Sequence, residues 1–409
     1  MRSPDVERGL VRAAGTSARL PSFKVALIDP SLFTLPYDLK LVEGLRGIGH
    51  SVSFYGKTLG PDETAPEGAK LVQHFYPEMQ SWGISRWPAG ISRVVKGALH
   101  LRSMRRLLDV LRTEQPDIIH FQWLPLPVID RTFIGALQSI APLVLTAHDS
   151  RPFNTSPSSV IQKLGATSAL ACFDRVIVHT EQARLRLAEY GVAPDRIARI
   201  AHGFLHDDMA APAGALAAES DKPVCFLLFG KVKRYKGADL ALEALRLMSP
   251  ELRARCVLRI VGKPYIDTEP LVRAAGELGS CAQLDFRHVP DREMPSLWGQ
   301  ADVLLFPYRE IDMSGVLMAA IAAARPIIAS KIGGFAELLE NGRTALLVPP
   351  NDANALSAAM SRLAREPSTR VDLSAAIRAL AATVPTWRTI AAETAAVYAQ
   401  ARELQAARG

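Results

Sequence analysis

The sequence predicts an α/β protein built from two Rossmann-like, doubly wound domains that face each other across a cleft. Three observations predict it. Short apolar runs of strand length alternate with segments whose apolar residues recur at helical spacing. That alternation stops over residues 209–220 and then restarts. The chain has 409 residues, which at roughly 100–200 residues per domain suits two cores rather than one.

The elements follow in order. Residues 1–20 mix Arg, Asp and Glu with small residues and lack the apolar centre of a secretory signal, so they read as a flexible tail. The first domain is expected over residues 21–208. Lys24–Asp29 is a buried strand and Pro30–Pro36 a turn. Leu41, Val42, Leu45 and Ile48 then recur at helical spacing, with Gly47 and Gly49 as stop signals. Ser51–Tyr55 is the next strand, completing a β-loop-α-β start. A basic amphipathic helix over residues 93–113 follows, then strands entered at Pro116–Phe121, Leu143–Ala147, Asp174–His179 and Arg196–Ile200. Thr180 caps a helix over residues 181–190.

Met209–Ser220 has little patterning and reads as a linker. The second domain is expected over residues 221–384. Val224–Phe229 opens it as a buried strand, and Asp239–Met248 is a helix. Further strands are Val257–Val261, Leu284–Arg287, Val303–Phe306, Pro326–Ala329 and Ala345–Val348. Ligands of such sheets bind at the carboxyl ends of the strands, here in the cleft between the domains.

Composition narrows the function classes. Apolar residues make up 48% and charged residues 22%, an ordinary globular balance. The net charge of +7 favours anionic partners without choosing among phosphates, acidic lipid and nucleic acid. Cys172, Cys225, Cys256 and Cys281 are widely spaced, which suits free thiols in a reducing cytosol rather than a disulfide framework or a zinc site. No apolar run is long enough to cross a bilayer as a helix, so a cytoplasmic protein is expected.

Four segments can carry chemistry. Gly230–Gly237 follows a strand and sets Lys231, Lys233, Arg234 and Lys236 between glycines, where backbone and cations can approach a phosphate; a solvated charge run is the bland alternative. Tyr308–Gly315 precedes an apolar helix, and the backbone N–H groups at Ser314, Gly315 and Val316 suit an anion; Ser314 is also a plain N-cap. His148 and Asp149 end a strand, where an imidazole can hydrogen-bond a substrate oxygen, act catalytically in proton transfer or simply be structural. Trp82–Arg106 carries Arg86, Arg93, Lys96, Arg102, Arg105 and Arg106 beside Trp82 and Trp87, a composition that suits an anionic membrane surface or a solvated helix face. There is no G-x-x-x-x-G-K-[ST] loop, no G-x-G-x-x-G after the first strand, no D-x-D pair and no G-x-S-x-G elbow, so ATPase, dehydrogenase and serine-hydrolase readings lose support. No metal or cofactor is indicated.

Taken together, these segments resemble the GT-B-fold glycosyltransferases of the retaining family 4, or group 1, type. The likeness runs through Gly49-His50-Ser51-Val52, Pro116–His120, Thr146–Asp149, Ala201-His202-Gly203, Gly230-Lys231, Lys236-Gly237, Val289-Pro290-Asp291 and Ala301-Asp302-Val303. It continues through Ser314-Gly315-Val316, Arg325–Ala329, Gly333–Leu338 and Leu347-Val348-Pro349. The resemblance implies a donor-binding second domain, an acceptor-binding first domain, and residues 385–409 as a helix returning to the first domain. It implies a nucleoside-diphosphate sugar as donor, with Lys231 and Lys236 gripping the diphosphate. Gly230, Ser314, Gly315, Val316 and Glu337 would bind donor, and His148 would meet the sugar. Phe33, Thr34 and Asp149 would stand on the acceptor side. The family's two glutamates fall here on Ile311 and Ala319, with Glu310, one residue from the first, expected to serve as the catalytic carboxylate in its place; in many members the second holds the ribose hydroxyls.

The expected reaction moves a hexose-type sugar to a glycan or polyprenyl-linked acceptor in exopolysaccharide or envelope glycan synthesis, with possible peripheral contact to an anionic membrane. A nucleotide-sugar epimerase, a phosphorylase and a catalytically silent sugar-binding scaffold are the rivals. Nucleic acid is not an expected partner, because aromatic residues do not interleave with the charge.

Overall fold

The structure, a computed structural model, describes residues 21–59, 70–78, 89–150, 165–205 and 222–408. The tail over residues 1–20, the linker over 209–220, and Trp82, Arg86, Trp87 and Arg151 lie outside the described residues.

Two all-parallel sheets organise the chain. The first holds β1 (Lys24–Asp29), β2 (Ser51–Lys57), β3 (Leu71–Phe75), β4 (Ile118–Phe121), β5 (Leu143–Thr146), β6 (Arg175–Val178) and β7 (Ile197–Arg199), in the order β3-β2-β1-β4-β5-β6-β7. The second holds β8 (Val224–Phe229), β9 (Cys256–Val261), β10 (Ala282–Asp285), β11 (Val303–Phe306), β12 (Ile327–Ser330) and β13 (Leu346–Val348), in the order β10-β9-β8-β11-β12-β13. Each order reverses once, between β1 and β4 and between β8 and β11. Such reversals open the crevice in which ligands of doubly wound sheets bind.

The central strands are continuous apolar runs because helices cover both faces of a parallel sheet. In β8, Val224–Leu228 are all buried, and in β4 every residue is. Strand β3 escapes a reading based on apolar runs. Of Leu71-Val72-Gln73-His74-Phe75 only Phe75 is buried, as suits an edge strand that lacks the apolar signature. The strand expected to begin at Arg196 begins at Ile197, because Pro194–Arg196 forms a 3-10 turn.

The basic helix spans Ala89–Glu114 and buries Leu99, Met104, Leu107 and Leu111. Its charge is partly met within the protein. Glu78 lies 3.7 Å from Arg102 and 3.3 Å from Arg106. The last helix, Trp387–Ala406, packs against the helix Leu35–Gly47 of the first domain. A Cβ on Gly44 would come within 2.6 Å of the Trp387 carbonyl, so glycine sets this close approach. Farther along the same helix, His120 Nδ1 and the Tyr398 hydroxyl are 2.7 Å apart.

Candidate active site

Loops at the carboxyl ends of both sheets enclose one cleft of about 1000 Å³. That is the upper end of the ~300–1,000 Å³ typical of small-molecule sites, room for more than one small ligand.

The second domain supplies a cationic corner. Strand β8 ends at Phe229, and Gly230 turns the chain with φ +104°. Lys236 folds back under this turn. Its Nζ donates to the Phe229 carbonyl at 3.3 Å and lies 5.1 Å from the Tyr308 ring centre. A Cβ on Gly230 would stand 2.8 Å from that Nζ, so the turn and the lysine are built together. Burial lowers the Lys236 pKa. Lys233 is lowered too, by burial first and then by the charges of Lys231 and Lys236. Crowded cations such as Lys233 gain from an anion placed beside them. Lys231 is exposed and sits 5.7 Å from the Phe33 ring across the cleft.

Beside these lysines the helix Gly315–Ala322 begins. Ser314 is its N-cap, with Oγ accepting from Leu317 N at 3.3 Å. The first-turn amides of Gly315 and Val316 fall outside the helix's own ladder and face the side that attracts anions. Gly230, Lys231, Lys236, Glu310, Ser314, Gly315 and Val316 all line the same cleft. The adjoining wall is apolar: Phe229, Val289, Met294, Trp298 and Ala319.

The first domain supplies the opposite wall. The Asp29 carboxylate accepts from Ser31 N at 3.1 Å and from Thr34 N at 3.0 Å, which shapes the loop after β1. The Thr34 hydroxyl lies 3.1 Å from Asp38, whose carboxyl is held well above its usual range by burial and then by Asp29. Phe33 projects from this loop and stacks on Trp123 with ring centres 4.8 Å apart. Phe33, Thr34 and Asp149 line the cleft.

His148 is not alone. It belongs to a nest with His179, His202 and Tyr37. The Tyr37 ring centre lies 4.7, 5.2 and 5.3 Å from the imidazoles of His148, His179 and His202. His179 Nδ1 donates to the Ile200 carbonyl at 3.0 Å, and its Nε2 lies 3.3 Å from His148 Nδ1. His148 Nε2 donates to Gln122 Oε1 at 2.9 Å. Burial, then the neighbouring imidazoles, holds His148 well below its ordinary pKa. At neutral pH it is an uncharged ring whose single N–H goes to Gln122. It can contact a sugar but carries no extra proton for a leaving group.

Glu337, expected at the donor, stands elsewhere. It does not line the cleft. Its carboxylate accepts from Glu181 N at 2.7 Å and Gln182 N at 2.8 Å, capping the helix Glu181–Glu189 of the other domain. The first-turn amides of a helix attract an acid, and Glu337 meets two of them.

A second carboxylate grips the same helix. Asp312 accepts from Arg186 at 2.7 Å and from the Ser150 backbone N–H, while Arg186 also donates to Ser150 Oγ at 2.6 Å. Gly334 N donates to the Asp312 carbonyl at 2.7 Å.

Arg186, Trp123, Tyr37 and Trp298 line the cleft without having been singled out from the sequence, while Asp312, His179 and His202, which line it too, were named only within longer segments.

Two facing Rossmann-like domains, with a basic loop and a helix start on one side of their cleft, define the GT-B class of architecture. Family models agree with it. A model of "Glycosyl transferases group 1" matches residues 223–366, and one of "Glycosyltransferase Family 4" matches residues 39–208. The chain belongs to this glycosyltransferase family, a family of retaining enzymes. It is 30% identical over 261 residues to a D-inositol 3-phosphate glycosyltransferase of Streptomyces scabiei, covering 60% of this chain and 58% of that one. It is 26% identical over 394 residues to a protein of the same name from Kribbella flavida, covering 91% of each. Anabaena HepE, solved in complex with UDP, matches with a TM-score of 0.68 at 16% identity, covering 92% of this chain and 100% of that one. At that identity the likeness shows the fold. The match to the Streptomyces relative spans less than two thirds of its length.

Proposed function

We propose that the protein moves a hexose-type sugar from a nucleoside-diphosphate sugar to a hydroxyl of a glycan or lipid-linked acceptor, with retention at the anomeric carbon. The observation that carries this reading is the convergence of Lys231, Lys236 and the Ser314–Val316 helix start on one corner of the cleft. In the reaction the anomeric carbon–oxygen bond to the diphosphate breaks. The acceptor hydroxyl forms the new bond and gives up its proton, and the nucleoside diphosphate leaves. Charge grows on the diphosphate as that bond breaks, and preorganised cations and amides stabilise it. A neutral His148 supports electrostatic help over general-acid catalysis by that residue.

On the acceptor side, the names of the relatives add inositol phosphates to the glycans and polyprenyl-linked sugars worth testing. Among the described residues no helix is long and apolar enough to cross a membrane, so contact with a lipid-linked acceptor would be peripheral.

The test is release of nucleoside diphosphate from a panel of UDP-, GDP- and ADP-sugars, with and without acceptors and in the presence of EDTA. Product stereochemistry is read by proton NMR. Turnover with an α-donor giving an α-product supports the reading, and a panel that neither binds nor turns over overturns it. Ile311 and Ala319, where carboxylates were expected, favour one rival: a silent sugar-nucleotide-binding protein. Tight diphosphate binding with no release on any acceptor would select that rival.

A further inference from the structure

The histidine nest holds one ring that its neighbours do not fully use. Both ring nitrogens of His148 lie within hydrogen-bond distance of side chains, those of Gln122 and His179. His179 meets the Ile200 carbonyl besides His148. His120, behind them, meets the Tyr398 hydroxyl at 2.7 Å and the Thr146 hydroxyl at 2.8 Å. His202 differs. Its Nδ1 lies 2.7 Å from the Gly203 carbonyl, and among the described residues no group pairs with its Nε2. A carbonyl only accepts, so Nδ1 carries the N–H. Burial, then the neighbouring His179, takes the His202 pKa down to about 3. At neutral pH the ring is uncharged and its Nε2 is a bare lone pair.

The ring is also held in place. The Tyr37 and His179 rings stand 5.3 and 5.1 Å away, and a Cβ on Gly203 would come within 2.7 Å of Ile390 and 3.0 Å of Trp387. The Trp387 indole donates to the Phe204 carbonyl, which pins the next residue as well. One residue further, Leu205 reaches the helix Gly315–Ala322: a Cβ on Gly315 would stand 2.7 Å from it. His202 therefore lies three residues from a contact that joins the two walls of the cleft. It keeps 8% of its surface exposed and lines the cleft, and its Nε2 is not among the described side-chain atoms that are both enclosed and unpaired. An ionised phosphate has no proton to give such a nitrogen, whereas a hydroxyl has.

We propose that His202 Nε2 is a fixed acceptor for one hydroxyl of the bound sugar substrates, orienting it where the two walls of the cleft meet. The inference rests on the sugar-transfer reading above and adds a substrate-positioning residue to it. Two sources present that chemistry, the sugar of the donor and the acceptor molecule. The contact is a hydrogen bond only. His202 holds the hydroxyl and takes no proton from it, because burial makes the imidazolium costly.

The experiment is steady-state kinetics of the full chain with the nucleotide sugar and acceptor that turn over in the panel above, beside calorimetry with the nucleoside diphosphate alone. His202→Phe keeps a flat ring and removes the acceptor atom. His202→Gln places an amide oxygen near the position of Nε2. His202→Phe should raise KM about tenfold for one of the two substrates, the loss of about one hydrogen bond, and so identify the source of the hydroxyl. Affinity for the nucleoside diphosphate should stay at the wild-type value, and His202→Gln should recover most of the loss. Of the single-deoxy forms of that substrate, one should lose about tenfold in kcat/KM on wild type and nothing further on His202→Phe. Wild-type KM values for both substrates in His202→Phe overturn the proposal. An equal loss of both substrates and of the nucleoside diphosphate, with no recovery in His202→Gln, overturns it too, because that marks a structural role. Should His202→Phe fail to fold, the deoxy series on wild type and His202→Gln decides: no deoxy form losing activity on wild type overturns the proposal. Failure of every nucleotide sugar to bind wild type instead removes the underlying functional reading.

Discussion

Replacing Arg186 with Leu tests whether the two domains are held together at the donor site. Arg186 belongs to the first domain and Asp312 to the loop that precedes Ser314. Their contact is 2.7 Å, with side-chain exposures of 13% and 7%. The substitution leaves the Asp312 carboxylate with the Ser150 backbone N–H. Removing one partner of a buried pair costs about 3–5 kcal/mol. Part of this is recoverable if the domains part and water reaches the carboxylate, so the upper half of that range is not expected. The clean measurement is a double-mutant cycle of Arg186→Leu, Asp312→Asn and both, read by urea unfolding. A coupling of about 2 kcal/mol is expected, within the roughly 0.5–3 kcal/mol seen for residues in contact. The exposed pair Arg343–Glu340, at 73% and 62% exposure, is the control and should couple by under about 1 kcal/mol. Because Asp312 sits two residues before the helix cap, the Michaelis constant for donor should rise with the same substitutions. A coupling no larger than the control, with donor affinity unchanged, refutes the argument.

Other expectations follow from the same geometry. Lys236→Ala should lower turnover about 10²–10³-fold, the usual loss of one preorganised donor to a developing charge, while the melting temperature holds or rises because a buried cation is gone; kinetics and thermal melting on one preparation check both. Gly230→Ala should destabilise by about 1–3 kcal/mol, since φ is +104° there, and should weaken nucleotide binding by displacing Lys236; unchanged binding by calorimetry would count against the built turn. Stability should fall as pH is lowered from about 6.5. Burial takes His120 and His202 down to about 3 and His179 to about 4, with His148 also well below its ordinary value. The unfolded chain therefore binds more protons than the native one between those values and about 6.5, and stability rises with pH across that window. Asp38, whose carboxyl burial raises well above its usual range, opposes this trend. Urea midpoints from pH 5 to 7 check the slope, and a flat profile would contradict it.

Much of the architecture was readable before any coordinates. A parallel sheet covered on both faces needs continuous apolar strands, and Val224–Phe229 and Leu143–Thr146 announce themselves that way. The edge strand β3 does not, because an edge needs less burial and carries a weaker pattern. The basic loop was readable because glycine and lysine at a strand's end have few other uses together. The Glu337 contact with the other domain was not readable, for the opposite reason. Its local motif gives no hint that the helix start at Glu181 lies within reach, 156 positions away in the chain.

The sequence by itself determined the two α/β domains, the basic loop Gly230–Gly237 and the helix start at Ser314–Val316. Those features are local: strand burial, turn chemistry and a helix start are written in consecutive residues. Only the tertiary structure decided what His148, Glu337 and Asp312 do. Their partners lie on distant segments, and hydrogen bonding and burial depend on which groups the fold brings within about 3 Å of each other. That is why His148 became one ring of a neutral nest and Glu337 a clasp between domains.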